Sequence, residues 1–303
     1  MSLNQLAANQ TAEDFFMVKL AENAVCKNGI PYQKVTLTER GGVSYTINNF
    51  NVAIPQEVRV VKATIKADAF NNGISFAMVA WERIDTNDLS IFAPMAQIDI
   101  QATWNYVVGK IQALRPGLRN LVSNLIMSNC NAYANLPLSP VGAYARNGGL
   151  LEETSFLMAI AESVANIQKL DKDLMIAGAA IYHFGNAFTI DESYNYSSNH
   201  ILFGESAFLF NTIMNTASQI QNGSDEQAKA DLNQEDIKLL AHIALTSTGN
   251  TKPVIPEAIA LKAIDKMYIE VESSKNALMD IEAGKTTYNN KSLEYKSLYK
   301  KAV

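Results

Sequence analysis

The front of the chain contains runs of β-branched and aromatic residues that are typical of short strands. In residues 57–65, valine, isoleucine and threonine recur with partial alternation of apolar and polar positions, as in a half-buried strand. Turn signals such as Lys27-Asn28-Gly29 and Asn71-Asn72-Gly73 separate the runs. The pattern predicts strands at residues 15–20, 33–38, 57–65 and 74–81, with a weaker fifth at 44–47.

Five short strands at the front of the chain favour a small closed barrel. Closure removes the exposed edges that a short open sheet would leave. Among such barrels we predict the OB-fold, in which about five strands form the wall. This domain is expected to occupy residues 1–85.

From about residue 99 the apolar positions recur with a helical period. The first apolar face consists of Trp104, Val107, Val108, Ile111 and Leu114. Further segments with this period cover residues 118–126, 149–168, 172–183, 200–220, 235–246 and 256–281. The chain is therefore predicted to be an α+β multidomain protein, with a linker at 86–98 and an all-α domain at 99–303 that contains a polar loop or insertion at 222–234.

Composition and charge argue against one class of protein and show an uneven distribution of charge along the chain. The 303 residues are 48% apolar and 18% charged, with a net charge of −5, which argues against a strongly basic, non-specific nucleic-acid binder. Residues 1–85 carry eight basic and eight acidic side chains, residues 86–284 carry 12 and 21, and residues 285–303 carry five and one. The front domain therefore repels phosphate less than the middle does, and the tail could attract it.

The location of the protein is predicted from what the sequence lacks. No window approaches the ~18 apolar residues of a membrane span, and the N-terminus lacks a signal-peptide pattern. Cys26 and Cys130 are far apart and form neither a disulfide framework nor a zinc pattern. We expect a cytoplasmic protein with no membrane partner.

Six segments of the chain occur in an order that is typical of one enzyme family. They are residues 13–18 (EDFFMV), 28–32 (NGIPY), 148–154 (GGLLEET), 173–186 (DLMIAGAAIYHFGN), 199–201 (NHI) and 253–265 (PVIPEAIALKAID). With them the chain resembles the YhaM-type 3′-to-5′ exoribonucleases, which pair an N-terminal OB-fold with a C-terminal HD-superfamily phosphohydrolase domain. The resemblance implies that the helical domain is HD-like.

The resemblance also implies that the metal site is degenerate. An HD site holds two cations with imidazole and carboxylate ligands and activates a bridging water. The defining His-Asp pair falls on His183-Phe184, and an upstream histidine falls on Glu153. The other departures are Ala143-Tyr144 at a histidine pair, Thr246-Ser247-Thr248-Gly249 at Ser-His-His-Gly, and Asn186 at a lysine.

The residual candidates for metal ligands are Glu153, His183, His200, His242 and Asp265. Losing several ligands should abolish a two-metal site, because even changes around the ligands cost ~10–100-fold in affinity. We therefore expect no cofactor. The alternative is Mn²⁺ or another divalent metal, held by Glu153, His183 and Asp265.

Three functions remain open. The first is a catalytically inactive relative whose barrel binds single-stranded RNA or DNA by stacking bases on aromatic side chains. The second is a residual metal-dependent 3′-to-5′ exonuclease, and the third is a scaffold that forms oligomers with itself or with an active relative. Candidate nucleic-acid contacts are Lys19, Tyr32, Lys34, Arg40, Tyr45, Phe50, Arg59, Lys62 and Lys66.

Overall fold

The structure is a computed structural model that describes residues 2–70, 73–86, 89–140, 142–190, 194–248, 251–279, 281–287 and 297–302. Outside this part lie the predicted turn residues Asn71 and Asn72, Gly249 of the segment Thr246–Gly249, and residues 288–296 and 303 of the basic tail.

The chain divides into two compact units, Met1–Pro94 and Met95–Val303. The division falls inside the segment predicted as a linker, residues 86–98. In that segment Leu89 and Phe92 are buried, and the Gly41 N–H donates to the carbonyl of Ile91. The first part of the segment is therefore attached to the front unit.

The front unit is the closed five-stranded β-barrel that the sequence predicts. Its strands are β1 (Thr11–Val25), β2 (Pro31–Thr38), β3 (Ser44–Asn49), β4 (Val60–Phe70) and β5 (Gly73–Ile84). They follow the order β1-β2-β3-β5-β4 around the barrel. All pairs are antiparallel except β3 with β5. This arrangement is consistent with an OB-fold.

Alternation along the strands fills the barrel. In β4 the buried residues Val61, Ala63, Ile65 and Ala67 alternate with partly exposed ones, because successive side chains of a strand point to opposite faces. The long strand β1 pairs with β4 along its first half and with β2 along its second half. One strand therefore joins both sides of the barrel and closes it.

The second unit is helical, as predicted. Its helices are α1 (Ile100–Gln112), α2 (Pro116–Met127), α3 (Cys130–Asn135), α4 (Gly149–Gln168), α5 (Lys172–Ile181), α6 (Asn186–Thr189), α7 (Ser198–Asn222), α8 (Glu226–Asp231), α9 (Gln234–Ser247) and α10 (Pro256–Leu278). Within the described residues, none of them has the length and apolar character needed to span a membrane.

Local sequence explains where several helices begin. The side chains of Asp99, Asp171 and Asn233 accept hydrogen bonds from backbone N–H groups in the first turns of α1, α5 and α9. Asp225 does the same for α8. The prediction of a polar loop at residues 222–234 is therefore wrong in part, because this cap starts a short helix that has no buried residue.

Arg115 ties together the starts of three helices. Its guanidinium donates two hydrogen bonds to Asp236 in the first turn of α9, with N···O distances of 2.9 and 2.6 Å. A third, of 2.8 Å, goes to Asp171 at the start of α5. Its own N–H donates to Asp173. Paired N–H···O bonds of this kind are strong and directional, so Arg115 fixes how α2, α5 and α9 meet.

We expect Arg115→Ala to lower the free energy of unfolding by about 2–4 kcal/mol, because the largely buried Asp236 then lacks its partner. Urea denaturation followed by far-UV circular dichroism measures this. The control is Lys238→Ala, which removes a cation from an exposed pair with Glu235 and should change stability by less than about 0.5 kcal/mol. Equal effects of the two substitutions would contradict the role of Arg115.

Candidate functional site

His183 lies at the centre of a buried ionisable cluster. It follows the last turn of α5 and is 6% exposed. Its Nε2 lies 2.8 Å from Asp265 Oδ1 on α10, and its Nδ1 lies 3.3 Å from Glu205 Oε1 on α7. Three helices therefore converge on one imidazole, which is held from both sides by carboxylates.

Glu153 completes the cluster from α4. Its side chain is fully buried, and neither carboxylate oxygen has a hydrogen-bond partner. One ligand atom from each of Glu153, His183 and Asp265 lies within 4.8 Å of the other two. Because buried carboxylates are normally paired or coordinate a metal, this orphaned group fits a bound cation.

The electrostatics of the cluster follow from burial. Burial is the main cause that raises the pKa of Glu153 to about 8, and Asp265 and Glu205 add to it, while the charge on His183 acts in the opposite direction. Burial alone lowers the pKa of His183, but Asp265 and Glu205 outweigh it and hold this pKa well above its ordinary value. Three carboxyl groups thus surround one imidazole, so the cluster has more acidic groups than basic ones.

A cavity of about 750 Å³ opens on this cluster, with His183 and Glu205 in its wall. Tyr196 and His200 also line it and stack with ring centroids 3.7 Å apart. His200 Nδ1 lies 3.2 Å from the hydroxyl of Thr189. His200 therefore borders the cavity without joining the cluster of His183.

Of the five candidate ligands predicted from the sequence, the structure brings together Glu153, His183 and Asp265. His242 is not part of this group, and its Nε2 accepts a hydrogen bond from the Val254 N–H. Glu205, which the sequence reasoning did not select, makes direct contact with His183. The signal that could have found it is the Gly204-Glu205 pair inside an otherwise helical segment.

Phe184 occupies the position at which the resemblance places the aspartate of an HD pair. It is fully buried and makes edge contacts with Tyr133 and Phe188, with ring centroids 5.4 and 5.3 Å away. The ring is thus part of the aromatic core and offers no ligand atom. Glu153, His183 and Asp265 remain as ligands that could hold one cation.

The barrel presents a second candidate site on its outer face. Tyr32 on β2 stacks on Phe50, which follows β3, with ring centroids 5.2 Å apart and an interplanar angle of 23°. Phe50 is 51% exposed. Two residues after Tyr32 on β2, Lys34 pairs with Glu22 on β1 and with Asn48 on β3. Paired residues share a face of the sheet, so these three side chains lie side by side. An exposed aromatic stack therefore borders one cation.

Two other basic candidates on the barrel are paired with carboxylates. Lys62 Nζ lies 2.7 Å from Glu13, and Lys66 Nζ lies 2.7 Å from Asp68. Both pairs are partly exposed to solvent. Their charges are thus partly balanced before any phosphate approaches.

Arg40 and Tyr45 also have partners within the barrel unit. The Arg40 guanidinium lies 5.5 Å from the centre of the Phe15 ring. The Tyr45 hydroxyl donates to Glu39, and its ring packs against the barrel core. Tyr45 therefore supports the barrel interior instead of its outer face.

The last two candidates are Lys19 on β1 and Arg59 directly before β4, just beyond the paired residues of these two strands. Both are exposed. The Val18 N–H donates to the Arg59 carbonyl, and Lys19 falls at the irregularity of the β1–β2 pairing between Val18 and Leu20. These two cations can approach a phosphate from this part of the barrel.

Comparison with known proteins leaves the family open. No family model matches the chain, and no solved structure matches it. The resemblance to YhaM-type exoribonucleases and the HD-like character of the helical unit stay predictions.

Glu153→Gln tests the charge of the buried cluster through pH. The pKa of Glu153 is raised from 4.5 to about 8 on folding, so a wild-type chain loses stability as pH rises between these values, while glutamine does not titrate. We expect the unfolding free energy of the variant relative to wild type to rise by on the order of 3–4 kcal/mol from about pH 5 to about pH 8. Urea denaturation with a chelator present measures it, and a pH-independent difference would contradict it.

Proposed function

We propose that this chain binds single-stranded nucleic acid through the outer face of its barrel and does not hydrolyse it. The observation that carries the proposal is the exposed Tyr32–Phe50 stack beside Lys34. Proteins that bind single strands stack successive bases on such rings, and each base contributes ~1–3 kcal/mol. The barrel order supports the proposal, since OB-folds bind oligonucleotides on the faces of their second and third strands.

The charges of this face predict how the strand is held. Lys34 shares its row with Glu22, and Lys62 and Lys66 are paired with carboxylates. Lys19 lies on β1 beyond its pairing with β4, and Arg59 directly precedes β4. Few phosphates can be neutralised, so stacking supplies most of the affinity and salt weakens binding only modestly.

Phe50→Ala is expected to weaken binding about 5–150-fold, because it removes one stacking ring. The measurement is fluorescence anisotropy with labelled oligo-dT and oligo-U of about ten nucleotides and the full chain. Lys34→Ala should weaken binding less than Phe50→Ala does. It should also reduce the slope of log K against log salt concentration, which we expect to be about −0.7 for each phosphate contact.

The matched control is Tyr106→Ala, which removes a partly exposed ring from the helical unit. It should bind as the wild type does. Absence of binding at low salt, or a Phe50→Ala variant as tight as wild type, would refute the proposal.

A second candidate function is the binding of one divalent cation by Glu153, His183 and Asp265. The orphaned carboxylate of Glu153 favours it, and imidazole with carboxylates suits Mn²⁺ or Zn²⁺. A cation bound there would act as a Lewis acid toward a phosphoryl oxygen. Because Phe184 replaces a second acidic ligand, we propose one cation where an HD enzyme holds two.

Equilibrium dialysis with Mn²⁺ should give one ion per chain, and Asp265→Asn should weaken binding at least ~10-fold. The control is His242→Ala, which removes a histidine outside the cluster and should leave binding unchanged. A parallel digestion assay with end-labelled RNA is expected to leave the strand intact. Manganese-dependent shortening that Asp265→Asn abolishes would instead establish a residual exonuclease.

A further inference from the structure

The backbone around Glu205 is built to bring this residue against His183. Helix α7 is interrupted at Gly204, whose φ of 72° and ψ of 161° are not helical, and Glu205 begins the helical stretch that follows. A positive φ of this kind is cheap for glycine and strained for other residues. The break therefore allows Glu205 to leave the line of the first turns and enter the cluster.

A second glycine allows the close approach from the other side. Gly185 lies two residues after His183, and a Cβ at this position would collide with the backbone carbonyl of Glu205. Glu205 itself is 5% exposed. Two glycines from different segments thus serve the same contact, in which Glu205 Oε1 meets His183 Nδ1 at 3.3 Å.

The contact places Nδ1 on the side of the ring that faces away from the other ligands. Glu205 lies on the Nδ1 side, and Asp265 lies 2.8 Å from Nε2 on the opposite side. A carboxylate that accepts a hydrogen bond from Nδ1–H fixes the orientation of the ring, and Nε2 then faces Glu153 and Asp265. Histidines that bind metals usually have such a partner on the other nitrogen, and its loss costs ~10–100-fold in affinity.

We propose that Glu205 is a positioning residue that holds His183 with Nδ1–H toward α7 and Nε2 toward Glu153 and Asp265. The inference rests on the one-cation proposal above for its consequence, but the placement of the ring is a property of the protein without metal. If Glu205 instead acts only through its negative charge, Glu205→Gln and Glu205→Met should lose the same amount of metal affinity.

The test compares Glu205→Gln with Glu205→Met in the full chain. Glutamine keeps an oxygen that accepts from Nδ1–H but removes the charge, whereas methionine keeps the length and removes both. Titration with Co²⁺ should show a loss of affinity of about 10–100-fold for methionine and of less than about 3-fold for glutamine. Far-UV circular dichroism confirms that both variants fold, and Glu162→Ala, on the same helix as Glu153, serves as the control with unchanged Co²⁺ affinity.

A second readout does not depend on metal. In ¹⁵N–¹H spectra of the histidine rings without metal, the protected Nδ1–H resonance of His183 is expected in wild type and Glu205→Gln and is expected to disappear in Glu205→Met. If wild type binds no Co²⁺, the cation proposal fails, and this spectrum alone decides on Glu205.

Two results would overturn the inference. One is a folded glutamine variant with the same loss of Co²⁺ affinity as methionine, since this would make charge the operative property. The other is an unchanged Nδ1–H resonance in the methionine variant. If methionine does not fold, the glutamine variant still decides, because a 10–100-fold loss there contradicts positioning.

Discussion

One imidazole held between carboxylates inside the helical unit constrains much of what surrounds it. Ionised groups are costly to bury unless they are paired, and here His183 meets Asp265 on one nitrogen and Glu205 on the other. Glu153 adds a third carboxyl group without a partner. This excess of carboxyl groups explains why the cluster fits a cation. The cluster joins side chains from α4, α7 and α10 with His183 at the end of α5, and Arg115 joins α2, α5 and α9 elsewhere.

The two proposed sites use different physics. The barrel face relies on the π-faces of Tyr32 and Phe50 with little net charge, so sequence preference and salt dependence should both be weak. The helical cluster relies on charges that are largely buried, where electrostatic interactions are stronger than in water. The first suits a long flexible strand, and the second suits a small cation.

Strands and helices could be predicted from the sequence because their signals are local. Alternation in residues 57–65 predicts a strand that overlaps β4, which begins at Val60 and runs to Phe70, and the helical period of residues 149–168 matches α4. The nucleic-acid-binding face of the barrel could not be predicted from the sequence, because only the strand register decides which residues point outward. Tyr45 packs against the core, whereas Phe50 is exposed. Glu205 was missed because a single broken turn at Gly204, invisible to periodicity, brings it to His183.

The most direct test of the account is a crystal structure of the full chain grown with Mn²⁺, with the ion located by its anomalous scattering. We predict one peak, surrounded by Glu153, His183 Nε2 and Asp265, with Glu205 on the far side of the imidazole. Two peaks bridged by shared ligands, or no peak beside a repacked Glu153, would contradict it.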